Sequence, residues 1–97
     1  KRPPRNDFGH ALRVARTAAG LSQEAFSDVS GRTYISQLER GERHATLSKI
    51  DELAAVLGIH PASLVALSYL HPRASRESVD GLMAILREEL MGLVGTS

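Results

Sequence analysis

Apolar residues recur along this chain at intervals of three to four, broken at short distances by glycine, proline and small polar residues. That pattern predicts several short helices and contains no alternating strand segment. Phe8, Leu12, Ala15 and Ala19 form a first stripe, with Asn6 or Asp7 as capping residue, Arg13 on a wet flank and Gly20 as the stop. Ser22 caps a short second helix through Phe26. After the brief run Asp28-Val29-Ser30-Gly31, a third helix begins at Ser30 or Gly31 and ends before Gly41. Its Tyr34, Ile35 and Leu38 supply apolar contacts, while Arg32, Thr33, Ser36 and Gln37 line another face.

Thr46 caps a fourth helix through Leu57, with Ile50, Leu53, Ala54 and Leu57 inward and Gly58 as its stop. His60 followed by Pro61 marks the start of a fifth, over 61–67, with Leu64 and either Val65 or Leu67 inward. A second break at His71-Pro72 leads to Ser75, the cap of a sixth helix over 76–91. Its apolar stripe comprises Val79, Leu82, Met83, Leu86 and Leu90, continued by Leu93 and widened by Ile85. This stripe must lie on something: it either completes the monomer core or meets a second copy across a two-fold axis. The fold class expected is all-α: five helices in 8–70, an additional C-terminal helix within 75–94, and an extended basic arm over 1–7, where two prolines oppose a helix.

Composition narrows the class. Ninety-seven residues suit one compact domain, and with two Phe, two Tyr and no Trp the core must be built from Leu, Ile, Val and Ala. The chain has no Cys, which removes disulfide and thiol chemistry. No secretory segment and no long uncharged apolar run is present, so the expected location is cytoplasmic, with no membrane partner. The net charge of +1 conceals a gradient: residues 1–50 hold nine Lys and Arg against five Asp and Glu, while residues 51–97 hold three against six. A basic first half fits a nucleic-acid face formed around the second and third helices.

The order and spacing of three segments resemble the Cro/C1-type helix-turn-helix regulators. These are Leu12-Arg13-Val14-Ala15-Arg16 with Gly20-Leu21-Ser22-Gln23-Glu24, then Tyr34-Ile35-Ser36-Gln37-Leu38-Glu39-Arg40-Gly41, and finally Leu53-Ala54-Ala55-Val56-Leu57-Gly58-Ile59. The resemblance covers about Phe8 to Leu70 and implies a DNA-binding transcriptional regulator, working as a homodimer on a near-palindromic operator. It places the base-reading side chains on Arg32, Thr33 and Gln37. Arginine can fork onto guanine, glutamine onto adenine, and the threonine methyl can pack on thymine. Backbone-positioning roles fall on Gln23, Tyr34, Ser36, Arg40, Arg43 and Arg13, with His44 beside them. The resemblance also implies a structural salt bridge between Arg16 and Glu39. One departure stands out: relatives of this type carry a longer connection between the Leu-Ser-Gln-Glu and Tyr-Ile-Ser segments, which puts the angle of the third helix in question here.

The alternative function is an antitoxin-like or adaptor module that binds a protein partner through the C-terminal helix, with DNA contact secondary. Catalysis is not expected. Ser22, Ser30 and Ser36 lack a spaced His-acid arrangement, and no phosphate-cradling glycine loop occurs. His10, His44, His60 and His71 are dispersed without metal-ligand spacing, so neither metal nor cofactor is expected, and surface or capping roles are.

Overall fold

The computed structural model describes residues 5–70 and 74–95. Most of the basic arm expected over 1–7 and the His71-Pro72 break therefore lie outside the described residues. Within them the chain forms α1 (Phe8–Ala18), a 3-10 turn (Gln23–Phe26), α2 (Arg32–Glu39), α3 (Leu47–Leu57), α4 (Pro61–Ser68) and α5 (Arg76–Gly95), with no strand.

The helix boundaries follow from local hydrogen-bond chemistry. The Asp7 carboxylate accepts from the His10 backbone N–H at 3.1 Å, and Thr46 Oγ1 accepts from that of Lys49 at 3.1 Å. His60 caps α4 through its ring, Nδ1 accepting from the Ala62 N–H at 2.9 Å, and Pro61 occupies the first turn where no N–H is needed. Ser75 Oγ accepts from the Ser78 N–H at 3.1 Å ahead of α5. Gly58 closes α3 in the left-handed region, at φ 74°, where a side chain would be strained.

Two sequence expectations change. Ser22 makes no side-chain cap, and the segment after it winds as a 3-10 turn, with the Ala25 N–H donating to the Ser22 carbonyl at 3.1 Å and the Ser27 N–H to the Glu24 carbonyl at 3.0 Å. Four residues are too few to propagate an α-helix, and the tighter winding carries Phe26 into the core. Ala19 is exposed at the end of α1, and its expected place in the stripe is taken by Ala11, because the positions that face inward are 8, 11, 12 and 15.

Leu12, Phe26, Ile35, Leu38, Ile50, Leu53, Leu57 and Leu64 form the core, drawn from α1 through α4 and the 3-10 turn. Each such side chain contributes about 1.5–3 kcal/mol on burial. The Asp7 N–H donates to the Ser68 carbonyl at 2.8 Å, which ties the start of α1 to the end of α4. Gly9 lets α1 lie directly against the end of α2: a Cβ there would stand 2.5 Å from the Leu38 carbonyl oxygen and 2.8 Å from that of Glu39.

None of the α5 residues is buried. Leu82 and Leu86 are half-buried where α5 passes α4, while Val79, Met83 and Leu90 are 38%, 43% and 57% exposed. Shallow apolar grooves flank this crossing, one lined by Ile59, Leu67, Val79 and Met83 and the other by Leu47, Val65, Tyr69 and Leu82. Among the described residues no single helix is long and apolar enough to cross a membrane.

Candidate nucleic-acid interface

The two faces of α2 differ sharply. Ile35 and Leu38 are fully buried against the core, whereas Arg32 and Thr33 are exposed in the first turn and Gln37 is half-buried one turn further on. An eight-residue helix fixed by its apolar side thus presents its polar edge outward.

Its orientation is held by a half-buried polar knot. The Glu39 carboxylate accepts from Arg16 Nε at 2.6 Å, Arg16 Nη2 at 3.1 Å and Gln23 Nε2 at 3.1 Å, and Arg16 Nη1 donates to the Leu21 carbonyl at 2.9 Å. One carboxylate therefore joins α1, the 3-10 turn and α2. The hydrogen bonds that Arg16 donates to Glu39 raise the guanidinium above its ordinary pKa, the carboxylate favouring the charged form. Gln23 acts here as a brace for α2.

The connection between the 3-10 turn and α2 is short and held by three hydrogen bonds. The Val29 and Ser30 N–H groups both donate to the Phe26 carbonyl, at 3.0 and 2.8 Å, and Lys49 Nζ donates to the Val29 carbonyl at 2.7 Å. Phe26 in the core and Val29 packed against it form the wedge that sets α2 relative to the preceding turn.

Beyond α2, two side-chain groups border the polar edge. Arg40 forks onto Glu42, with Nε to Oε2 at 2.8 Å and Nη2 to Oε1 at 3.1 Å, and Arg40 Nη1 also donates to Ser36 Oγ. That hydrogen bonding lowers the Glu42 carboxyl below its usual range and raises Arg40, although both groups are exposed. In the second group Arg43 Nε donates to Gln37 Oε1 at 2.8 Å, and the Arg43 and Lys49 cations lie 5.8 and 5.7 Å from the Tyr34 ring centroid. The half-buried Tyr34 also packs against the core, as expected of its ring.

The structure thus brings together Tyr34, Ser36, Gln37, Arg40 and Arg43 beside exposed Arg32 and Thr33. Arg13 is placed apart from them, exposed on α1 in a shallow groove with His10 and Thr17. Among the described residues no group of three or more His, Cys, Asp or Glu is arranged to hold a metal ion. Three contributors escaped sequence reasoning. Glu42 was legible as an acid close to Arg40 across Gly41, but Lys49 reaches a carbonyl twenty positions away and Gly9 meets α2 only in the folded chain.

Comparison with known proteins places this geometry among relatives. Residues 12–64, which span the polar knot and α2 and stop short of α5, match the helix-turn-helix family model. The chain is 39% identical over 61 residues to the control protein C.BamHI of Bacillus amyloliquefaciens, covering 60% of this chain and 75% of that protein. Among solved structures it is similar to the restriction-modification controller protein C.AhdI from Aeromonas hydrophila, at 43% identity and TM-score 0.56, covering 60% of this chain and 91% of that one. A hypothetical transcription factor, NHTF, from Neisseria is 32% identical with TM-score 0.57, covering 65% of this chain and 75% of the other.

Proposed function

We propose, for a chain that belongs to the helix-turn-helix family and is a DNA-binding transcriptional regulator of the Cro/C1 type, that it acts as a homodimer on a near-palindromic operator. Each copy lays the Arg32, Thr33 and Gln37 edge of α2 in one of two successive major grooves, with half-site centres about 34–36 Å apart. The observation that carries this reading is the division of α2 into a buried apolar face and an outward polar edge held by the Arg16–Glu39–Gln23 knot. Base reading is assigned to Arg32, Thr33 and Gln37, whose donors, acceptor and methyl match the groups displayed in the major groove. Tyr34, Ser36, Arg40, Arg43 and Arg13 serve the phosphates, with Gln23 bracing the helix that carries them.

The domain of residues 8–70 reads DNA and the helix within 75–94 joins two copies. Support for the second role comes from the α5 stripe, where Val79, Met83 and Leu90 remain substantially exposed although they belong to one apolar face with Leu82 and Leu86. A second copy is the occupant that also explains two reading helices on a symmetric site. The similarity to a restriction-modification controller protein makes the control region of such a system the first natural operator to try.

Selection of bound duplexes from a random library, followed by weighing the complex at moderate salt, tests the reading. A near-palindromic enriched site on a two-chain complex is the expected result. Leu90→Glu, placed on an exposed residue, should yield a folded monomer with weakened operator binding. Binding without enrichment, together with loss of a different protein partner in that variant, would transfer the function to the antitoxin-like or adaptor reading.

A further inference from the structure

Gln37 and Arg43 stand six residues apart across the turn at Gly41, and Arg43 Nε donates to Gln37 Oε1 at 2.8 Å. A guanidinium has five donors and no acceptor, so the amide must turn its oxygen toward the cation and keep its NH2 group for a base edge. The Tyr34 ring, 5.8 Å from the guanidinium, helps hold it in place.

We propose that Arg43 determines which base Gln37 reads, converting it from an adenine reader into one that prefers guanine. The inference rests on the operator reading above and assigns Arg43 a specificity role in addition to its phosphate role. A glutamine acting alone forks onto adenine: its NH2 donates to N7 while its oxygen accepts from the N6 amino group. In this protein one lone pair of that oxygen already accepts a hydrogen bond from a cation, which sets the guanidinium beside the base edge that the amide meets. An adenine placed against the pair would bring its N6 donor toward a guanidinium that can only donate. Guanine puts the acceptor O6 in the same position, where the amide NH2 and the remaining Arg43 N–H groups can serve O6 and N7 together. In solution an exposed contact of this kind is weak, but docking into the groove expels water and strengthens it, so the coupling acts when the base is being chosen.

Duplex selection on the wild-type chain, Gln37→Ala and Arg43→Met tests this. Arg43 is exposed, so an unchanged melting curve should verify the fold of the last variant. The base pair that Gln37 contacts is identified as the one whose preference flattens in Gln37→Ala. There the wild type should favour guanine over adenine by about tenfold or more, the discrimination ordinary for one well-made base contact. Arg43→Met should erase or reverse that ratio while preferences at other positions hold. A wild-type preference for adenine at that pair overturns the proposal. So does an Arg43→Met protein whose affinity drops by one common factor on all duplexes with the ratio intact, or a Gln37→Ala protein with every preference unchanged. A wild-type chain that enriches no duplex refutes the operator reading itself, whereas an enriched site with an unaltered ratio in Arg43→Met refutes only the coupling.

Discussion

Replacing Glu39 with glutamine is the sharpest test of how this small domain aims α2. The wild-type carboxylate accepts three hydrogen bonds, from Arg16 Nε and Nη2 and from Gln23, and the Arg16 and Glu39 side chains are only 17% and 6% exposed. Glutamine retains the volume but loses the charge, and its NH2 would stand against the Arg16 guanidinium, which can only donate. Losing one charge-assisted hydrogen bond costs about 1.5–3 kcal/mol, and breaking a fully buried ion pair about 3–5 kcal/mol. Arg16 keeps its bond to the Leu21 carbonyl and some contact with water, which places Glu39→Gln near the overlap of these ranges, at about 3 kcal/mol. For a domain of this size that lowers Tm by about 12–24 °C. Urea unfolding followed by circular dichroism, with thermal melts alongside, would measure it. The double variant Arg16→Met with Glu39→Met should lie closer to wild type than either single change, because no charge is left without its partner. A Glu39→Gln protein within about 1 kcal/mol of wild type would refute the argument that this carboxylate supports the helix angle.

Three further outcomes follow from single contacts. Glu42→Gln should strengthen binding to specific and non-specific DNA alike and steepen the log–log salt slope by up to about one, because Arg40, which in the wild type divides its charge between Glu42 and a phosphate, is left to the phosphate alone. The Glu42 carboxyl lies below its ordinary range, so its ion pair is present above the usual carboxylate pKa and lost only as pH falls through the lowered value. The advantage of the variant should therefore stay constant from about pH 8 to about pH 5 in titrations of labelled duplex. Gly9→Ala should destabilise by about 1–3 kcal/mol in urea, since the added Cβ would collide with the Leu38 and Glu39 carbonyl oxygens and backbone cannot step aside as a flexible side chain would; a stability equal to wild type would contradict this. Lys49→Met removes the donor to the Val29 carbonyl and should cost about 1–3 kcal/mol, with faster hydrogen exchange at the Val29 and Ser30 amides as the local signature.

Much of the domain was legible because its information is local. Thr46, Gly58 and the His60-Pro61 pair announce helix ends through bonds made within a turn of themselves, and the structure places α3 and α4 where those residues require. The stripe of Leu12, Ile35, Leu38, Leu53 and Leu64 follows from helical periodicity alone and became the core. Ser22 was misleading for a related reason: a good cap residue signals a helix start, but four residues before a buried Phe26 leave no length for an α-helix to propagate.

The polar edge was legible by type but not by partner. Arg32, Thr33, Ser36 and Gln37 are marked by their periodicity opposite the apolar face of α2, while the choice of Arg32, Thr33 and Gln37 among them and the Arg16–Glu39 pair were implied by family resemblance. That Arg43 would turn back onto Gln37 and that Lys49 would hold the Val29 carbonyl depended on how the turns and the packing of α3 bring these groups into contact, whereas Glu42 meets Arg40 only two residues away, across the bend at Gly41.

By itself, then, the sequence determined most helix ends, most inward faces and the chemical character of the polar edge of α2, because backbone capping and hydrophobic periodicity act over a few residues. Only the tertiary structure decided the angle of α2, the close approach at Gly9, the partners of each cation and the bare stripe of α5. Those depend on distances between segments far apart in the chain, which are set when the whole core packs.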